Sequence, residues 1–373
     1  MDGVNIKTLG SFIGMFVICL FVITLYEVQN VLNISKIPTV SIRMNRTEQL
    51  TRGDGRLQST SQFPKMVLVL TYMRSGSSLT GDILQQSSEA FYVYEPFRAI
   101  ESRNSSTYTI SYVNGTKRKP PFSLTQEAVD GLYNWFTCNI SRLPVIGLFD
   151  SFLNIGIKTR AMQPCLQKVY NKTKSRESAI KVCTKHLEEI CKDSPVRIVK
   201  TIRMAVNDVK HLLKELPTLK IVHLVRDPRA TLYSQYHFGM CKQQRGGWQW
   251  CANNLCKRLE NDVLKLESLK IKYPDRILNV LYKDIAKDPL TMSRKMYDFI
   301  GEDFTRQAES YIYNITMAGN QNNCAICTTR SNSSEHINTW KKKMNQEFLQ
   351  IVNERCNYIL KRLNFDVFPA SQL

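Results

Sequence analysis

Histidine is scarce in this chain, five among 373 residues, and its one Cys-x-x-Cys pair, Cys324 and Cys327, has no second pair to complete a four-ligand set. Zinc and dithiol redox chemistry are poor readings of that pair, and a structural disulfide is the better one. The nucleotide loop G-x-x-x-x-G-K-[ST] is missing, which argues against a nucleoside triphosphatase. No internal repeat is visible, so a repeat architecture is excluded. Acidic residues are outnumbered, 32 against 51 Lys and Arg, and the net charge of +19 sets up a field that attracts anions. With 43% hydrophobic residues the chain is not a disordered one. It can bury a full core, as one large domain with appendages rather than several small ones.

One uncharged run is long enough to matter. Thr8 to Tyr26 holds nineteen residues without a charge, and at ~1.5 Å rise they reach roughly 28 Å, against a bilayer core of ~30 Å. The run reads as a transmembrane signal anchor over 8–26 behind a cytoplasmic tail over 1–7. A cleaved signal peptide is the alternative, but the stretch is long for one and no small-x-small cleavage site follows. Flanking charge does not orient the span, since Lys7 stands on one side and Lys36, Arg43 and Arg46 on the other. Eight Asn-x-Ser/Thr sequons do: Asn33, Asn45, Asn104, Asn114, Asn139, Asn171, Asn314 and Asn332 all follow the span and argue for a lumenal body. Setting Cys19 aside leaves ten of the eleven cysteines in that body, an even number suited to disulfides. Nucleic acid is seldom met in such a compartment; anionic glycans or a multiply phosphorylated cofactor fit the charge better.

Residues 27–63 are polar, carry two sequons and lack periodicity, which reads as a stem. The body over 64–373 then alternates short apolar runs with helical stretches: Met66 to Leu70, Phe91 to Tyr94, Ile198 to Ile202, Ile221 to Val225 and Ile277 to Tyr282. Strands separated by helices predict an α/β fold, a central parallel sheet flanked by helices. Residues 100–195 hold four sequons and scattered basic residues, as insertions that shape an acceptor cleft would. Trp340, Met344, Phe348, Ile351, Ile359 and Leu363 recur at helical spacing, which predicts one long amphipathic helix over 336–363 with its stripe in the core.

Two strand-to-helix turns carry chemistry. In "LTYMRSGSSLTGDIL", residues 70–84, an apolar run empties into Arg74, Ser75, Gly76, Ser77 and Ser78 before a helical pattern begins. Free backbone N–H groups at a helix start bind anions. Gly76 permits the tight turn, the serines add hydroxyl donors, and Arg74 adds a planar charged fork. In "IVHLVRDPRATLYS", residues 221–234, Arg226 ends a strand, Asp227 suits an N-cap and Pro228 the first helical position. Taken singly, the first turn is an ordinary cap and the second an Arg226 to Asp227 pair capping a helix. Together, at the carboxyl ends of strands in one sheet, they suit a ligand with two separated anionic groups.

The turn "TYMRSGSS" at 71–78 resembles the 5′-phosphosulfate loop of sulfotransferases that use 3′-phosphoadenosine 5′-phosphosulfate (PAPS), and "LVRDPRATLYS" is similar to their 3′-phosphate element. The likeness is closest to the Golgi carbohydrate 6-O-sulfotransferases, which act on galactose, N-acetylgalactosamine and N-acetylglucosamine. It extends through "VYEPF" at 93–97, "KTIRM" at 200–204, "WCANNLC" at 250–256, "LYKDIAKDP" at 281–289 and "TTRSNSSEHINTWKKKM" at 328–344. It departs at "FRAI", residues 97–100, where that branch commonly carries an aromatic residue or His-Val.

The resemblance implies a P-loop-like sulfotransferase fold, a single-pass type II protein of the Golgi membrane, PAPS as co-substrate without an essential metal, and a glycan acceptor of chondroitin or keratan type sulfated at a 6-hydroxyl. A homodimer stays open. Sulfuryl transfer, like phosphoryl transfer, asks the protein mainly to position groups and stabilise charge. Arg74 is expected at the 5′-phosphosulfate and in the chemistry, with Ser75, Gly76, Ser77, Ser78 and Leu79 forming the loop; Arg226 and Ser234 are expected at the 3′-phosphate, and Arg330 closing over the cofactor or standing on the surface. Glu95 is the candidate base, its pKa raised by burial; a structural carboxylate paired with a core cation is its other reading. His237 and His336 are alternative bases, while Lys200 and Arg203 could steady the acceptor, a phosphate or a salt bridge. A lumenal kinase and a non-catalytic glycan-binding protein on the same fold are the rival functions.

Overall fold

The apolar runs become strands because their Val, Ile, Leu and aromatic side chains have two buried faces to fill. In the computed structural model, which describes residues 63–241, 246–320 and 327–366, they are β1 Lys65–Leu70, β2 Ala90–Tyr94, β3 Val196–Thr201, β4 Leu219–Val225 and β5 Ile277–Leu281. All pair in parallel, in the order β2-β3-β1-β4-β5. Side chains alternate across the sheet: Met66, Leu68 and Leu70 of β1 face one core, Val67 and Val69 the other. Burial on both faces is what makes these strands read as continuous apolar runs.

Helices Leu124–Phe136, Met162–Thr173 and Arg176–Lys192, from the inserted region, cover the first face, and Ser77–Leu84, Pro289–Ile300 and Arg306–Thr316 cover the second. A third apolar cluster joins the long helix Gly247–Lys272 to the C-terminal segment through Leu255, Leu259, Trp340, Phe348 and Leu360. The single helix expected over 336–363 is not formed. Trp340 and Met344 reach the core from turns, and the helical part divides into Gln346–Arg355 and Asn357–Arg362. Asn345 stops any continuous helix there by accepting from the Phe348 N–H as an N-cap, and Cys356 between the two pieces is bonded to Cys256.

The other disulfides are Cys138–Cys191, Cys165–Cys183 and Cys241–Cys251. Cys327 is disulfide-bonded as well, while Cys324 lies outside the described residues. So do the candidate span over 8–26 and the stem up to residue 62; among the described residues no helix is long and apolar enough to cross a membrane.

Below the C-terminal edge of the sheet lies a polar chain. The Tyr72 hydroxyl donates to Asp262 at 2.9 Å and sits 2.9 Å from His223 Nε2, while Asp262 accepts the Val206 N–H at 2.8 Å. Arg258 stacks near the Tyr72 ring and donates to the carbonyls of Ile202 at 3.0 Å and Met204 at 2.6 Å, tying the end of β1 to that of β3. Burial pushes the His223 pKa down to about 4, with the Arg258 charge adding to the effect and the contact with Asn279 opposing it. The folded state therefore refuses a proton that the unfolded chain takes up below its ordinary value near 6.5. Stability is expected to fall by about 2–3 kcal/mol as pH drops from ~6.5 to ~4. Urea denaturation at several pH values in that window checks this: His223→Gln should flatten the acid limb, and an equally steep limb in the variant refutes the assignment.

Candidate active site

All five strands deliver residues to one place, the carboxyl edge of the sheet, where ligands bind in open α/β folds. Arg74 and its turn follow β1, Glu95 follows β2, Lys200 ends β3, Arg226 follows β4 and Tyr282 follows β5. They converge on a cavity of about 340 Å³. Its wall includes Arg74, Gly76, Ser77, Ser78, Leu79, Glu95, Arg226 and Arg330 from the candidate set, with Lys200 and Arg203. A larger cavity of about 600 Å³, around Tyr112 and His211, holds none of these residues.

The loop after β1 is built tightly. Gly76 sits at φ 90° as N-cap of the helix Ser77–Leu84, and a Cβ there would stand 2.2 Å from the Tyr282 ring. Both the backbone conformation and the approach of Tyr282 demand glycine. Arg74 also lies in the left-handed region, at φ 68°. Its Nε donates to Ser234 Oγ at 3.0 Å, its guanidinium lies 3.9 Å over the Phe238 ring, and its carbonyl accepts from Arg226 Nη1 at 3.2 Å. Ser234 is thus a partner of Arg74 and does not line the cavity. Ser75 does not line the cavity either; it is buried, and its hydroxyl finds no hydrogen-bond partner among the described residues. An anion cradled by the turn meets a glycine-shaped recess, the free N–H groups of a helix start and an orphan hydroxyl nearby.

Three guanidinium groups share this side of the cavity. Burial, then the Arg226 charge and more weakly Arg330, pulls the Arg74 pKa below the ordinary arginine value; burial also lowers that of Arg226, where Tyr282 and Asp227 oppose the shift and Arg330 adds to it. Each arginine stays protonated, so the cluster holds unfavourable like-charge energy that a polyanionic ligand relieves.

On the β2 and β3 side the charges are matched. Glu95, 2% exposed and at φ 48°, accepts from Lys200 Nζ at 2.5 Å and is paired with Arg203, which also reaches Glu101. Burial came as expected; the pairing with core cations is the other reading of Glu95. Lys200 is itself buried and lies 4.3 Å over the Tyr94 ring. At the mouth, Arg98 pairs with Asp150 at 2.6 Å and stacks 3.8 Å over Phe152.

His237 stands outside the cavity wall, its Nε2 2.8 Å from the Tyr233 hydroxyl. The side chain of His336 lies outside the described residues. Sequence reasoning missed Tyr94, Arg98, Phe152, Phe238 and Tyr282 as wall residues. Tyr282 carried a signal, since it follows β5 as Arg226 follows β4. Phe152 and Phe238 carried none, lying far along the chain from what they touch.

Gly76→Ala should weaken binding of adenosine 3′,5′-bisphosphate by about 5- to 150-fold, from the ~1–3 kcal/mol cost of a side chain in strained backbone. Calorimetric titration of the full chain measures this, and unchanged affinity would detach the turn from the donor.

Residues 64–364 match the family described as the sulfotransferase domain. The chain is similar to carbohydrate sulfotransferase 3 of Homo sapiens, 26% identical over 329 residues that cover 80% of this chain and 67% of the relative. It is similar to carbohydrate sulfotransferase 4 of Mus musculus, 23% identical over 342 residues, covering 82% and 83%. A solved structure, the sulfotransferase domain from the curacin biosynthetic pathway, aligns at 15% identity and a TM-score of 0.47 over 83% of this chain and 100% of that one. With a family match that takes in every strand of the sheet and runs past the last helix, the chain belongs to the sulfotransferase family.

Proposed function

We propose that this sulfotransferase moves the sulfuryl group of PAPS to the 6-hydroxyl of a galactose, N-acetylgalactosamine or N-acetylglucosamine residue in a glycan of chondroitin or keratan type. The run over 8–26 anchors it in the Golgi membrane as a single-pass type II protein with its body in the lumen. The observation that carries the reading is the meeting of Arg74, Arg226 and Arg330 around a glycine-dependent turn in one cavity. The relatives' common description as carbohydrate sulfotransferases supports a sugar acceptor, and the sequons and disulfides support an oxidising, glycosylating compartment.

PAPS supplies an activated sulfuryl group with a phosphate as its leaving group. The protein supplies position and charge. Arg74 and the N–H groups of the helix start from Ser77 to Leu79 face the 5′ side, where negative charge grows on the departing phosphate, while the Ser75 N–H is taken up by the Tyr72 carbonyl and closes the turn. Arg226 both props the Arg74 carbonyl and is assigned to the 3′-phosphate, a group a planar fork grips in two places; Ser234, behind the cavity wall, serves that side by holding Arg74. Arg330 covers the same side.

Glu95 is the proposed base for the sugar hydroxyl. Both of its oxygens are engaged, so accepting a proton requires one cation to yield. Arg203 is the one free to do so: its side chain is 12% exposed against 2% for Lys200, and it already divides itself between Glu95 and Glu101. Lys200 keeps the carboxylate aimed.

Two measurements test the reading. The full chain, given PAPS labelled in the sulfuryl group and a panel of desulfated chondroitin, keratan and N-acetylglucosamine-ended acceptors, should place label on the 6-position of one of them; label on none refutes the acceptor class. Glu95→Gln should lower turnover by about 10²–10⁴-fold, the range for a lost general base, with bisphosphate affinity retained. Full turnover in that variant removes Glu95 from the chemistry.

A further inference from the structure

A second cavity, about 490 Å³, opens beside the first and shares Ser78, Tyr94, Cys327 and Thr328 with it. Its size falls within the roughly 300–1,000 Å³ of small-ligand sites. The Ser78 and Tyr94 hydroxyls, 2.9 Å apart, form the partition. Donor phosphates assigned to Arg74, Arg226 and Arg330 lie on one side of that partition, so the second cavity is left to whatever approaches the sulfuryl group from the other.

Its walls suit a sugar. Apolar surface comes from Ile157, which is 43% exposed, and from Tyr311, and both belong to the cavity lining. Asp82, the lining's one carboxylate among the described residues, is already occupied: it accepts from Thr328 Oγ1 at 2.6 Å, from Gln85 Nε2 at 2.9 Å and from the Tyr311 hydroxyl. Among the described residues Arg160 is the lining's one basic residue; it is exposed and makes no ion pair with any of them. The charge offered to a ligand is therefore that of Arg160. Its place is fixed from below. The Arg160 N–H donates to the Gly156 carbonyl at 2.9 Å, the neighbouring Thr159 hydroxyl donates to the Leu153 carbonyl at 2.6 Å, and Gly156 packs so closely on β2 that a Cβ would stand 2.3 Å from the Tyr92 carbonyl oxygen.

We infer that this second cavity holds the sugar next to the one being sulfated, and that Arg160 grips an anionic group on it, a carboxylate or a sulfate ester. The inference rests on the function proposed above. A guanidinium fork matches either group, and it makes the enzyme a reader of the acceptor's neighbour as well as of the acceptor.

The test compares acceptors of equal length whose residue beside the reacting sugar bears a carboxylate, a sulfate ester or neither. Arg160→Gln should raise KM about tenfold for the acidic acceptors, as loss of a charged hydrogen bond does, while kcat, the neutral acceptor and bisphosphate affinity stay unchanged. The acidic series with the larger effect identifies the group. Ile157→Trp, which fills the cavity, should raise KM for oligosaccharides of every series and leave a monosaccharide acceptor alone. Transfer that persists with an Arg160→Gln effect equal on acidic and neutral acceptors overturns this subsite and spares the proposed function. Wild-type transfer to no sugar at all overturns both.

Discussion

Arg74 and Arg226 end neighbouring strands, and their charges oppose one another while their backbones and side chains are tied together. Arg226 donates to the Arg74 carbonyl, and Arg74 in turn is held by Ser234 from the helix that Arg226 precedes. The sheet imposes this: β1 and β4 pair in parallel, so whatever follows them emerges side by side. Two cations forced together at the edge of a core are tolerable when an anion is the regular occupant between them. The rest of the carboxyl edge follows from that demand. Gly76 lets the turn close, Tyr282 from β5 packs against it, and Arg258 holds β1 to β3 from beneath.

The second constraint is the buried carboxylate across the cavity. Arg74 and Glu95 are both non-glycine residues in the left-handed region, each at the exit of a strand. Such strain of ~1–3 kcal/mol persists where the surroundings over-determine it, and it gathers at functional positions. For Glu95 the determinants are Lys200 and Arg203; removing one partner of a buried pair costs about 3–5 kcal/mol because the other charge is stranded. The site thus sets a cluster of mutually repelling guanidinium groups beside β1 and β4 against a buried carboxylate ion-paired to two cations beside β2 and β3. Only the first is shaped for a multiply charged donor.

How much of this was legible depended on how local each feature is. The five strands were readable because burial on both faces imprints itself on every residue of a strand, and the two turns because Arg-Ser-Gly-Ser-Ser and Arg-Asp-Pro state their backbone needs within a few positions. The order of the strands was not readable, since parallel pairing leaves no mark beyond apolarity. Nor was the division of the C-terminal helix: Trp340 and Met344 keep helical spacing while sitting in turns, because their burial is set by Gly247–Lys272, distant in sequence. The Arg98 and Asp150 pair, across 52 residues, had the same obstacle. Arg98 did show itself in sequence, as the departure at residues 97–100, and the structure gives that departure a location at the mouth of the cavity.

The charge of the whole chain and the charge of its cavities do different work. A net +19 raises the local concentration of any acidic chain and is screened within ~8 Å at physiological salt, so it cannot choose among acidic polymers. Choice has to be made at short range, where geometry and desolvation act together. Around the donor turn the cations are half-buried and mutually repelling, which favours a ligand with charges at two fixed separations. Beyond the Ser78 and Tyr94 partition the lining carries one arginine and a carboxylate already satisfied by its neighbours, so a densely charged polymer gains little there over a chain with one well-placed acidic group. Long-range attraction brings polyanions to the surface, and the sparse charge of the second cavity decides which of them lies in register for transfer.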